Sequence, residues 1–165
     1  MNPTITTPTR DRVDRFLDRL EGIPGLDYEV EAIVERINHL QRRIRREHEQ
    51  TLTEHGLTWG EWRVLASLIH GSCESPGELS SELEVSTGAM TNRLDKLEEA
   101  GMIRRARDPH DRRGVKLELT DEGRRAYTEA TSAQAVKEVR VASALTKREQ
   151  QELNKLLRKL MLQFE

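Results

Sequence analysis

Apolar residues recur mostly at every third or fourth position along this chain, and in one short stretch at every second. Val13, Phe16, Leu17 and Leu20 fall at helical spacing before EGIPG, which predicts a short amphipathic helix. Val30, Ile33, Ile37, Leu40 and Ile44 mark one stripe of a long helix from about Asp27 to His55, with Gly56 as its stop. Three S/T-x-x-E boxes follow: Thr58–Glu61, Ser75–Glu78 and Thr146–Glu149. At such a start the hydroxyl accepts an orphan N–H while the glutamate reaches back to the cap. Pro76 adds a favoured first helical residue. These signals predict helices over 58–70, 75–84 and 146–164. Ser86 and Gly101 bound another over 86–100, and a further helix begins at Thr120 and runs toward Ala144. Between Gly101 and Thr120 the period changes. Val115, Leu117 and Leu119 alternate with Lys116 and Glu118, a half-buried strand whose antiparallel partner is 102–107 and whose turn is DPHDRRG. MNPTITTP (1–8) is polar and Pro-punctuated, the pattern of a disordered end. The predicted fold class is mainly α with a small two-stranded β-hairpin.

The order helix, short turn, helix, hairpin concentrates the chemistry. Leu79, Leu83, Val85, Met90, Leu94 and Leu97 face inward at spacings of three and four, so the two helices cross steeply as a helix-turn-helix. The second helix opens with the small residues Ser86, Thr87 and Gly88, which let its N–H groups approach a phosphate. Thr91, Asn92 and Arg93 lie away from Met90 and Leu94; Asn and Arg can read adenine and guanine edges bidentately. A merely polar helix face is the alternative. In the hairpin, six basic residues (Arg104, Arg105, Arg107, Arg112, Arg113, Lys116) stand against Asp108 and Asp111. Arginine suits a narrow minor groove, and Asp111, two residues before Arg113, is placed to brace that guanidinium. Arg104, Arg105 and Arg107 are either backbone contacts or solvated strand. QRRIRR (41–46) puts four more arginines on the long helix, as a solvated face or a direct DNA contact.

Composition narrows the function classes. The 165 residues carry a net charge of −2, so nucleic-acid affinity must reside in a local patch. Charged residues reach 34% and aromatics 4%, a thin core that suits a partner chain. The single Cys73 excludes an intrachain disulfide, and no apolar run reaches the roughly 18 residues of a membrane span. The expected location is cytoplasmic, with no membrane partner. No nucleophile–base set, phosphate loop or metal-ligand spacing stands out, so no enzyme, metal or cofactor is expected.

ELSSELEVSTGAMTNRLDKLEEAGMIRRARDPHDRRGVKLELTDEGR (78–124) resembles the winged helix-turn-helix core of the MarR family of bacterial transcription regulators, most specifically in DPxDRR, the alternating strand and LTxxGR. A looser resemblance covers about 27–164. It implies a winged core over 58–119 flanked by N- and C-terminal dimerisation helices (27–57 and 120–165), with 1–26 as an extension. It also implies a homodimer, the 86–100 helix in the major groove of a double-stranded operator, and Arg113, ahead of Arg112, in the minor groove. The stripe Leu153, Leu156, Leu157, Leu160, Met161 and Phe164 is wider than one small neighbour needs, which fits a two-fold interface.

Family members often bind small anionic or aromatic effectors, which nominates Trp59, Trp62, Arg63, His39, Arg43 and His48 as a ligand site. Trp62 is read first as core packing, and His48 as either a buried switch or the wet end of a stripe. The extra N-terminal helix resembles the urate-responsive branch, but its first helix has no Trp, and Arg63 stands where that branch has an acidic residue. A thiol sensor is not expected at Cys73. The reading is a dimeric, sequence-specific, ligand-modulated regulator, in this family most often a repressor. A winged-helix protein-interaction module without a DNA target is the alternative.

Overall fold

A computed structural model describes residues 10–107 and 114–165. The expectations for MNPTITTP and for the hairpin tip, with Asp111, Arg112 and Arg113, lie outside the described residues. The chain divides into two compact units, one ending at Arg46 and one beginning at Glu47.

In the first unit, α1 (Arg12–Leu17) runs into a 3-10 turn (Asp18–Leu20). It is capped by a box with no serine or threonine: Asp11 accepts from the N–H groups of Val13 and Asp14, and Asp14 accepts from that of Asp11. Arg36 of the long helix α2 (Tyr28–Glu54) holds this cap, its Nε 2.9 Å from Asp11 and its Nη2 2.5 Å from Asp14. The Arg36 hydrogen bond, with the cap N–H groups, draws the Asp11 carboxyl down to about 2. The apolar stripe of α2 is not core within the chain, since Val30, Ile33, Ile37 and Leu40 stay 42–54% exposed.

The second unit contains α3 (Trp59–His70), α4 (Pro76–Glu82), α5 (Thr87–Glu99), β1 (Ile103–Arg107), β2 (Val115–Leu119), α6 (Asp121–Ala142) and α7 (Lys147–Met161). Thr58, Ser75 and Thr146 close the three capping boxes, and Ser86 and Thr120 cap α5 and α6. Leu79, Leu83, Met90, Leu94 and Leu97 meet Leu52, Val64, Leu65, Ile103 and Leu117 in one core, with Val85 packed at its edge. The turn between α4 and α5 places Glu84 in the left-handed region (φ 53), at a cost of roughly 1–2 kcal/mol for a side-chain-bearing residue. α7 ends three residues before the expected position and buries none of its own side chains; Phe164 beyond it is 87% exposed. Among the described residues no helix is long and apolar enough to cross a membrane.

β1 and β2 pair antiparallel with Ile103 opposite Leu119 and Arg105 opposite Leu117. The other edge of β2 is engaged too, the Leu117 N–H donating to the Glu74 carbonyl at 2.7 Å. Thr120 closes the hairpin onto the end of α5: its hydroxyl donates to the Gly101 carbonyl (2.7 Å) and its N–H to that of Met102 (3.1 Å). The same Met102 carbonyl lies where a side chain at Gly123 would begin, 2.1 Å from an ideal Cβ. Cys73 sits in a loop as expected but is buried. Its thiol donates to Glu82 at 3.0 Å, and Ser67 and Ser72 donate to the other oxygen of that carboxylate. Burial, then the hydrogen bond to Glu82 and its charge, pushes the thiol from 9.0 up to about 11.

Two outcomes are expected. Gly123→Ala should lower the unfolding free energy in urea by about 1–3 kcal/mol or more, because backbone rather than a flexible side chain must give way. Between pH 9 and about 11 the unfolded Cys73 loses its proton while the folded one keeps it, so stability should fall as pH rises through that window. The fall should be absent in Cys73→Ser; an unchanged profile in the variant would assign it to other groups.

Candidate nucleic-acid interface

Burial of Met90, Leu94 and Leu97 at 1% exposure each turns the opposite face of α5 outward. Ser86, Thr87, Gly88, Thr91 and Asn92 are all exposed. Ser86 Oγ accepts from the Ala89 N–H (3.3 Å), and Thr91 Oγ1 donates back to the Thr87 carbonyl (2.9 Å). Asn92 has no hydrogen-bond partner among the described residues and remains available along its amide edge. Every other described α-helix carries an acidic residue in its first turn, whereas α5 has none. Its N-terminal partial charge is left uncompensated, the condition that favours an approaching phosphate.

Arg93 departs from this face. It is half-buried, and its guanidinium lies over Gly60 of α3, where a Cβ would sit 2.6 Å from Nε. With Glu49, Thr53, Thr58, Trp59 and Gly60 it lines a cavity of about 400 Å³. The sequence placed Arg93 beside Asn92 as a base reader; the structure turns it back against the scaffold.

The hairpin register assigns the arginines that the sequence left open. Alternation puts Arg105 on the face of Ile103 and Leu117, where its Nη2 donates to Asp95 (2.7 Å) and its Nη1 to Glu98 (2.5 Å). The Asp95 bond chiefly, against partial desolvation, raises its pKa above the ordinary value. Arg105 therefore clamps the C-terminal half of α5 to the wing and is neither a backbone contact nor solvated strand. Sequence reasoning missed this role, although the spacing of Asp95 and Glu98 on one helix face and of Ile103 and Arg105 on one strand face was there to be read. On the other face Arg104 pairs with Glu118 (2.5 Å), and Lys116 pairs with Glu74 (2.7 Å). Among the described hairpin residues, Arg107 has no ion-pair partner.

The nominated ligand residues fall into separate places. His48, Trp59, Trp62 and Tyr127 stack in sequence, with centroid separations of 5.9, 5.1 and 5.7 Å. Trp62 Nε1 donates to Thr131 Oγ1 (3.1 Å), so its polar end is satisfied inside the fold. His48 Nε2 lies 3.0 Å from Glu138 Oε1 without a directed hydrogen bond. Arg63 is half-buried in reach of the Glu82 charge, which it helps to stabilise. His39 and Arg43 belong to the first unit, where they line another cavity.

A family model described as the MarR family matches residues 57–115. The chain is 34% identical over 111 residues to the HTH-type transcriptional repressor MdtR of Bacillus subtilis, covering 67% of this chain and 71% of the relative. It is 28% identical over 137 residues to the HTH-type transcriptional regulator PecS of Dickeya dadantii, covering 81% and 82% respectively. Among solved structures, the YusO protein of Bacillus subtilis superposes with TM-score 0.71 at 28% identity, covering 84% of this chain and 98% of that one. A cysteine-to-serine mutant of Escherichia coli MarR complexed with operator DNA gives TM-score 0.65 at 28% identity, covering 80% and 95%.

Arg105→Ala should accelerate amide exchange across the end of α5 and β1 and cost about 1 kcal/mol, since the pair is only partly exposed and two-pronged. Arg105→Lys should recover only part of the protection. Exchange identical to the parent in both variants would mean that Arg105 does not clamp the wing.

Proposed function

This chain belongs to the MarR family, and on that premise we propose that it is a dimeric, sequence-specific transcriptional repressor, acting in the cytoplasm on a pseudopalindromic operator. The carrying observation is α5: an outward face of Thr91 and Asn92, an N-terminus free of acidic residues, and an inner face locked into the core. Asn92 reads a base edge, the first turn from Ser86 to Gly88 meets phosphate, and the wing tip with Arg112 and Arg113, braced by Asp111, enters the minor groove. Arg93 joins the reading face only by leaving Gly60. The DNA complex of the E. coli relative supports this docking.

Two exposed apolar faces support the dimer, one along α2 (Val30, Ile33, Ile37, Leu40) and one along α7 (Leu153, Leu156, Leu157, Leu160). Burying each against a second copy supplies the apolar area the single chain lacks. A two-fold axis then sets the two α5 helices about 34–36 Å apart, one turn of DNA.

The cavity beside Trp59 supports ligand control by a small anionic or aromatic effector. Arg93 is one of its walls and also belongs to α5, so an occupant that engages the guanidinium alters what the recognition helix can present. The strength of that control equals the ligand's differential affinity for the free and DNA-bound states.

Selection from random duplexes should enrich an inverted repeat with half-site centres about 10 bp apart. Asn92→Ala should relax preference at one position of each half-site by about 1–3 kcal/mol. Arg113→Ala should weaken all sites alike and lower the salt slope by about one. Weak binding with no enriched repeat would favour a protein-interaction module.

A further inference from the structure

The arginines of QRRIRR are exposed, and they gather around one hollow. Arg42, Arg43, Arg45 and Arg46 of α2 line one cavity of about 690 Å³ together with His39, Leu40 and, from α1, Arg12. No carboxylate is among the described residues of that wall. The bonds from Arg36 to Asp11 and Asp14 dock α1 on α2, and Arg12, between those two carboxylates in sequence, is brought to the cluster with them. Arg42 donates to Nδ1 of His39 at 3.0 Å, which leaves the ring proton on Nε2, the nitrogen facing Glu35 at 3.7 Å. Arg12 and Arg46 have neither an ion pair nor a hydrogen bond among the described residues. Arg43 and Arg45 are already engaged in other contacts of the fold.

Guanidinium groups gathered around one space attract an anion, and their planar forks match phosphate oxygens two at a time. The volume lies in the range of small-molecule sites, about 300–1,000 Å³, and Leu40 is the one apolar residue among the described residues of its wall, beside the arginine stems. We propose that this cavity binds a small ligand bearing a polyphosphate chain, gripped by Arg12, Arg42 and Arg46. Duplex DNA suits it less well, because its charges run along a line at about one per 1.7 Å and call for a stripe of cations, not a cluster around a hollow. The neighbouring cavity that shares Arg12 and His39 also contains Glu35 and Phe16, and is a poorer home for such an anion. Both helices lie wholly outside residues 57–115, so the site is separate from the segment that carries the family match.

Calorimetric titration of the full chain with inorganic triphosphate, at constant ionic strength and beside sulfate as control, tests the proposal. Triphosphate should bind at least about tenfold more tightly than sulfate. Arg12→Ala and Arg46→Ala should each weaken it about tenfold, and Arg46→Lys by less, because it keeps the charge and loses the fork. Lys155→Ala on α7 should leave binding unchanged, and thermal melts of each variant would confirm that it is folded. Adenosine triphosphate in place of triphosphate distinguishes the source: tighter binding assigns a nucleotide, and equal binding assigns the bare chain. Equal affinity for sulfate and triphosphate, or binding indifferent to both alanine variants, overturns the site. Loss of duplex affinity in Arg12→Ala and Arg46→Ala with triphosphate binding intact also overturns it, and makes the cluster a DNA contact.

Discussion

The burial of Met90, Leu94 and Leu97 beneath α5 is the constraint on which the proposed DNA-reading surface depends. Three side chains at spacings of four and three fix the rotation of the helix about its own axis, because any other rotation would expose at least one of them. With the inner face settled, Thr91 and Asn92 have nowhere to point but outward. The adjoining devices work to the same end. The turn at Glu84 accepts a left-handed backbone to bring α4 and α5 together, Thr120 ties the hairpin to the end of α5, and Arg105 grips Asp95 and Glu98 from the strand side. Each raises the cost of moving α5 relative to its wing.

The distribution of charge follows the same logic. A hairpin with six basic residues looks strongly cationic in the sequence, but Arg104, Arg105 and Lys116 are each held by a carboxylate of the fold. Their field is largely cancelled close by. On α2 the opposite holds. There several arginines gather around a cavity without a carboxylate in its described wall, on a chain whose net charge is −2. Positive charge in this protein is thus placed in two ways, in ion pairs that clamp the wing and in a cluster along α2, and only contact geometry tells them apart.

Much of the fold was legible. The capping boxes at Thr58, Ser75 and Thr146 close as the sequence suggests, and the alternation at Val115, Leu117 and Leu119 becomes a strand paired with Ile103–Arg107. The cap of α1 was not legible in the same way, because two aspartates take the roles of hydroxyl and glutamate. The candidate sites were read less completely. Arg93 has the chemistry of a base reader but lies on Gly60, whereas Trp62, read as core packing, satisfies its N–H on Thr131. Residue type names what a side chain can do, and packing decides whether it is free to do it.

The sequence by itself determined the order of elements, their ends and their inward faces, because those follow from bonds and contacts within a few residues along the chain. Caps act over three residues and helical stripes over three and four, so both can be read from spacing alone. The tertiary structure decided which distant atoms meet: Arg105 with Asp95, Arg93 with Gly60, the Met102 carbonyl with Gly123, Arg12 with the arginines of α2. Those meetings depend on helix rotation, strand register and crossing angle together. A few ångströms settle whether an arginine is a clamp, a cavity wall or a solvated group.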